Sequence, residues 1–261
     1  TPAQRLRYGP RRRRIPELWT VDNPVMAGVV QNQDSYMQSV AAQRPFFFDH
    51  VAQLTDQAME EFYQLTGRRY SRISTYRADD ADFLLMGQGS AVPNCEAVAD
   101  YLRETRGIKV GVVNLTMFRP FPGDMLGPIL KGKKGVCILE RIDQPLAEDL
   151  PVIRETRAAL NKCIENGRSN GKSAPYPEYD TYKNAEDLPS LYSASFGMGS
   201  RDLQPEALIG AVENMLPTGK NKKMFYLSID FIREKAYTPK QEVYQQQLEE
   251  ALQYQGPAVS V

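Results

Sequence analysis

The sequence predicts an α/β protein of three layers, with a mostly parallel β-sheet between two layers of helices. Three observations carry that reading. The short apolar runs DFLLMG (82–87), KVGVVNL (109–115) and GVCILE (135–140) show little polar alternation, as strands covered on both faces do. Segments of helical periodicity lie between them, and parallel strands need such crossovers. Glycine-bearing turns close the runs, GQGS after the first and FGMGS (196–200) further on.

The elements come in order. Residues 1 to 20 read as irregular, and Arg11–Arg14, between Pro10 and Pro16, fits a solvated linker or a weak basic patch. PFFFDHVAQLTDQAMEEFYQLTGRRY (45–70) predicts a helix with Val51, Leu54, Ala58, Phe62 and Leu65 on one face, ended by Gly67. After the first strand, Val92, Cys95, Val98 and Leu102 mark a helix stopped by Gly107. A short helix near Met125–Leu130 separates the second and third strands. Ile153, Thr156, Leu160, Cys163 and Ile164 then define a helix over 151–166. Residues 168–190 are polar and carry prolines and tyrosines. A loop of that length points to a functional segment, an interaction segment or an insertion. LYSASFGMGS resumes the βα rhythm, with a helix over 205–216 and a strand over 224–231. Thr238, Pro239 and Gln241 form a capping-box arrangement that opens a last helix. The division expected is a segment 1–80, a core domain 81–231 and a C-terminal helix or linker 232–261.

Composition bounds the function. Lysine plus arginine equals aspartate plus glutamate at 32 each, so no global field draws in nucleic acid or a membrane surface. No apolar run approaches the ~20 residues that span a bilayer, and the first residues carry no signal-peptide pattern. Cys95, Cys137 and Cys163 are few and scattered, which suits reduced core thiols in a cytoplasmic protein. The sequence contains a single histidine, His50, and no CxxC, GxxxxGK[ST] or HExxH pattern. A chain of this kind that opens on Thr1 reads as a binding or scaffold protein, or as a piece of something larger.

Four places could carry chemistry. GQGS, with Gly87 and Gly89, could hold an anion at a helix N-terminus, or form a tight turn. The third glycine of a dinucleotide fingerprint is missing, since Val92 occupies its place. Gly197 and Gly199, with Ser200, Arg201 and Asp202 beside them, could approach a ligand, a subunit or only the next helix. Glu140, Asp143, Glu148 and Asp149 gather at the end of a strand, where carboxylates can do acid–base work or hold magnesium. Glu140 beside Arg141 reads more simply as a salt-bridged strand end. Arg119 stands at the carboxyl end of its strand between Phe118, Pro120, Phe121 and Pro122. It could clamp a carboxylate or phosphate, or pair with Glu140.

In series, the motifs NPVMAGVVQNQDSYMQSVAAQRPFF, ADFLLMGQGSA, VGVVNLTMFRPFP, CILERID, FGMGSRDLQPEAL and FYLSID resemble the pyruvate:ferredoxin (flavodoxin) oxidoreductase family over about 23–230. The resemblance implies the tail of a first domain followed by a second core domain with the fold of the transketolase C-terminal domain. It implies a non-catalytic part of a 2-oxoacid:acceptor oxidoreductase, inactive by itself, packed against cofactor domains in a homodimer. Coenzyme A, a 2-oxoacid and ferredoxin or flavodoxin are partners of the whole enzyme, as are thiamine diphosphate, magnesium and iron–sulfur clusters. None is expected on this segment. The magnesium-binding GDG…N run is absent, because Met125 follows Gly123–Asp124, and no cysteines are closely spaced. Asn32, Asp34, Tyr36, Gly87, Gly89, Arg119, Glu140, Gly197 and Gly199 are expected as structural or interface residues. A free-standing anion- or nucleotide-binding module, or a separately encoded partner subunit, is the alternative. The 168–190 segment is longer than the family's motif spacing suggests.

Overall fold

A computed structural model describes residues 1–9, 21–22, 30–169 and 173–229, with the backbone of Val259–Ser260. Arg11–Arg14, most of NPVMAGVV, Asp230 and the helix expected from Thr238 lie outside the described residues. The backbone divides into two compact units, Thr1–Val51 and Ala52–Val261.

The first unit contains α1 (Pro2–Tyr8) and α2 (Gln33–Gln43). Thr1 caps α1 reciprocally with Gln4, so both ends of that capping box are satisfied. A π-helical turn, Arg44–Phe48, joins α2 to α3 (Asp49–Thr66), which runs on into the second unit. Neither α2 nor α3 has a buried residue.

The second unit is built on one sheet. Its strands are β1 (Ile73–Tyr76), β2 (Phe83–Gly87), β3 (Val110–Leu115), β4 (Gly135–Glu140), β5 (Ser190–Ser195), β6 (Met224–Leu227) and β7 (Val259–Ser260), in the order β1-β3-β2-β4-β5-β6-β7. All pairings from β3 to β6 are parallel, and the two outer strands are antiparallel. Helices α4 (Ala91–Arg106), α5 (Gly123–Leu130), α6 (Pro151–Gly167) and α7 (Pro205–Met215) supply the crossovers.

Strand alternation feeds two cores. Phe83, Leu85, Val110, Val112, Cys137, Leu139, Tyr192 and Ala194 point to the α4 and α7 side. Leu84, Met86, Val113, Leu115, Val136, Ile138 and Leu191 point to the α5 and α6 side. Period two therefore distributes apolar side chains to both faces, which is why the runs look unbroken in sequence. The result is the three-layer α/β/α fold.

On the second side α5 and α6 pack closely. A Cβ on Gly123 would lie 2.8 Å from that of Ala159, and one on Gly127 would lie 2.9 Å from the Cys163 sulfur. The polar 173–189 segment lies across these two helices. Buried Asn166 holds it through Nδ2 donated to the carbonyls of Tyr176, Tyr179 and Asp180, while its oxygen accepts from the Tyr176 amide. Tyr182, also buried, donates its hydroxyl to the Gly127 carbonyl at 2.7 Å.

Candidate functional site

In an open α/β sheet, loops at the carboxyl ends of the strands meet where the winding reverses. Here β3 lies on one side of β2 and the remaining parallel strands on the other, so the reversal falls between β2 and β4. A cleft of about 430 Å³ opens at this edge. One wall is the start of α4, with Ser90 and Asn94. Arg141, directly after β4, forms another. The stretch from Phe196 to the start of α7 closes the third side.

Several contacts hold the cleft in shape. The Arg141 Nε donates to the Gly197 carbonyl at 2.8 Å. Gly197 has φ +70°, and a Cβ there would sit 3.1 Å from the Arg141 Cγ and Nε, so glycine is required both by the turn and by the arginine lying on it. Asn94 donates to the Leu203 carbonyl at 3.2 Å, which joins the entry of α7 to α4. Ser90 and Gln204, the N-cap residues of these helices, make no side-chain capping bond. Arg201 makes no ion pair among the described residues, and Asp202 is the one carboxylate on the lining.

The two glycine turns singled out in the sequence thus reach one place. Ser90 follows Gly89 (φ +61°), and both Ser90 and Gly197 line the cleft. Gly199 (φ +64°) lies in the same turn as Gly197. Gly87 ends β2, where a Cβ would meet Leu139 at 3.7 Å, an ordinary contact. Asn32, Asp34 and Tyr36 belong to the first unit and are exposed on or beside α2. Asn94 carries no sequence signal of its own, because its partner lies 109 residues away.

Two expected pairings are not formed. Glu140 is salt-bridged neither to Arg141 nor to Arg119. It is buried, and its two oxygens accept the backbone amides of Val152 and Ile153 at 2.7 and 3.1 Å. Those are the free amides after Pro151 at the start of α6, so a strand-end carboxylate caps a helix from outside it. Burial pushes the Glu140 pKa above its ordinary range, against the pull of the two amides. Arg119 instead pairs with Glu155 at 2.9 Å, lies 4.0 Å from the Phe118 ring centre and remains exposed. The neighbouring carboxylates also disperse, Asp143 accepting from the Tyr226 hydroxyl and Asp149 pairing with Arg157.

The donor sets for the family's cofactors do not fit here. Cys95, Cys137 and Cys163 are all buried. Desolvation raises each thiol pKa, that of Cys95 to about 12, whereas cluster ligation needs accessible thiolates. Asp124, the acidic residue of the truncated magnesium motif, faces Arg72 at 3.5 Å. No three His, Cys, Asp or Glu side chains converge on a metal-sized site among the described residues. Nor, among those residues, is any helix long and apolar enough to cross a membrane.

Comparison with known proteins places this architecture. Residues 81–172 match the family Pyruvate:ferredoxin oxidoreductase core domain II. A probable pyruvate-flavodoxin oxidoreductase of Escherichia coli is 32% identical over 80% of this chain and 16% of its own length. The pyruvate synthase subunit PorA of Thermotoga maritima is 29% identical over 76% of this chain and 44% of its own. The pyruvate:ferredoxin oxidoreductase of Moorella thermoacetica is 25% identical over 77% of this chain and 15% of its own. The chain thus spans less than half the length of each of these relatives. With the parallel sheet, the two helical layers and these matches, residues 81–172 carry a core domain II of the pyruvate:ferredoxin/flavodoxin oxidoreductase family, transketolase C-terminal-like in fold.

Proposed function

We propose that this chain is a non-catalytic core segment of a thiamine-dependent, cytoplasmic 2-oxoacid:ferredoxin/flavodoxin oxidoreductase, with pyruvate as the 2-oxoacid. Residues 1–80 would be the tail of a preceding domain with its linking helix, 81–231 the core domain, and 232–261 a link to the next domain. Its work is to pack against the domains that hold thiamine diphosphate, magnesium and the iron–sulfur clusters, and so support the coenzyme A-dependent decarboxylase as a homodimer.

The observation that carries this reading is apolar surface left exposed among the described residues. In the first unit Phe46, Phe47 and Phe48 are 72, 65 and 55% exposed, and in the second Leu54 and Leu65 are 59 and 62% exposed. Exposed apolar surface of this kind marks contact with another protein surface. The size of the relatives supports a neighbour within the same enzyme.

The match to PorA, a subunit, favours a second reading, in which the same domain sits on a shorter separate chain and completes the enzyme in trans. One experiment addresses both. The native protein is purified, and chain mass, iron and thiamine per chain are measured. A chain several times heavier, with iron and thiamine bound, is the expected result. A shorter chain that co-purifies with iron- and thiamine-bearing subunits would favour the second reading. A chain that purifies alone, with neither, would overturn both.

A further inference from the structure

We infer that the cleft at the carboxyl ends of β2, β4 and β5 binds a phosphorylated small molecule, with the phosphate between Arg201 and Arg141. None of the residues that line this cleft belongs to the apolar surfaces above, and ligand binding there stands or falls independently of the packing role.

Charge is unbalanced on the lining. It carries two guanidinium groups and one carboxylate, Arg141, Arg201 and Asp202. Asp202 alone cannot neutralise both. Arg141 uses Nε on the Gly197 carbonyl, which fixes the plane of the group and leaves its two terminal nitrogens as donors for a ligand. Arg201 donates to no side chain among the described residues. Most other arginines of this unit are committed: Arg72, Arg77, Arg103, Arg106, Arg119 and Arg157 all form ion pairs. Arg68, Arg154 and Arg168 likewise form no ion pair among the described residues, and of these unpaired arginines only Arg141 and Arg201 line the cleft.

The backbone at the start of α4 adds little: the Val92 amide already donates to the Gly89 carbonyl at 3.2 Å and Pro93 has no N–H, although no acidic residue in the first turn opposes an anion there. A carboxylate ligand would satisfy one guanidinium in bidentate fashion. Two guanidinium groups approaching from different loops suit the tetrahedral array of phosphate oxygens better. Volume then sets the class. At about 430 Å³ the cleft is larger than one phosphate and lies within the range of small-molecule sites, and Phe196 supplies an apolar surface beside the charged end. A phosphate ester fits this combination more fully than the free ion.

The test uses the full-length protein and two probes, inorganic phosphate and adenosine monophosphate, titrated calorimetrically at constant ionic strength. Saturable binding is expected for both. Tenfold or tighter binding of the ester identifies a phosphorylated metabolite as the ligand class, whereas equal affinity would overturn that class in favour of a free-anion site. Arg201→Ala should weaken binding at least tenfold and leave the melting temperature of the free protein unchanged, because its side chain holds nothing else. Ser90→Asp gives the second reading: its carboxylate on the cleft wall should repel the phosphate and weaken binding at least tenfold. Absence of saturable binding by either probe, or the same affinity in wild type and Arg201→Ala, would overturn the proposal.

Discussion

Glu140 illustrates how much one residue can be misjudged from its neighbours in sequence. Beside Arg141, and with Arg119 at the end of another strand, it looks like half of an ion pair. In the fold its partners are two amides at the start of α6, twelve and thirteen residues on. No sequence pattern announces such a cap, because it depends on how the loop 141–150 returns. Removing the carboxylate leaves both buried amides unpaired, so Glu140→Ala should cost roughly 1–3 kcal/mol in a denaturant titration. The pH dependence comes from burial. The folded pKa lies above the ordinary 4.5, so folding takes up a proton between the two values. The stabilising contribution of Glu140 is therefore full below about 4.5 and declines as pH rises through the folded value. The difference between wild type and Glu140→Ala should be largest at acid pH. A difference that grows toward neutral pH would mean that the ionised form is the one the fold prefers.

At the scale of elements, the segment read from sequence as 168–190 shows why composition alone misleads. Its polar residues and prolines predict a loop, and its length raises the three readings of function, interaction and insertion. The fold ties the segment to its own domain through Asn166, which is only 2% exposed and uses both ends of its amide. Asn166→Ala removes the partners of three carbonyls and one amide together, and should destabilise the protein by roughly 3 kcal/mol. Limited proteolysis should then cut near Tyr176–Tyr182 well before the sheet unfolds. Unchanged protease resistance would show that other contacts hold the segment. The strands are more legible than this loop. Runs buried on both faces, such as FLLMG and GVCILE, have few alternatives, and α4 announces its end at Gly107, whose φ of +65° suits the left-handed cap. β1 escapes the sequence reading for the opposite reason. Ile73–Tyr76 lies at the sheet edge with Ser74 and Thr75 exposed, so only its two ends carry an apolar signal. Tertiary pairing with β3, not local preference, makes it a strand.

For the whole molecule, legibility depends on topology. The GQGS and FGMGS turns are more than a hundred residues apart, and either alone is explained by a turn. Only the strand order brings Ser90, Arg141 and Gly197 onto one cleft. The apolar face of α3 is visible in its spacing, but spacing cannot say what covers that face. Leu54 and Leu65 are exposed in the chain by itself, and a helix normally buries such a stripe. The packing role therefore predicts that Leu54 is covered in the complete enzyme. A Leu54→Cys variant reports this directly, because the three native cysteines are buried and stay silent. Maleimide labelling should be fast in the 261-residue chain and at least tenfold slower in the intact protein. Equal, rapid labelling in both would leave α3 facing solvent in the assembled enzyme. The domain would then have to make its contacts through another surface, and the exposed phenylalanines at Phe46–Phe48 would be the next place to introduce a cysteine.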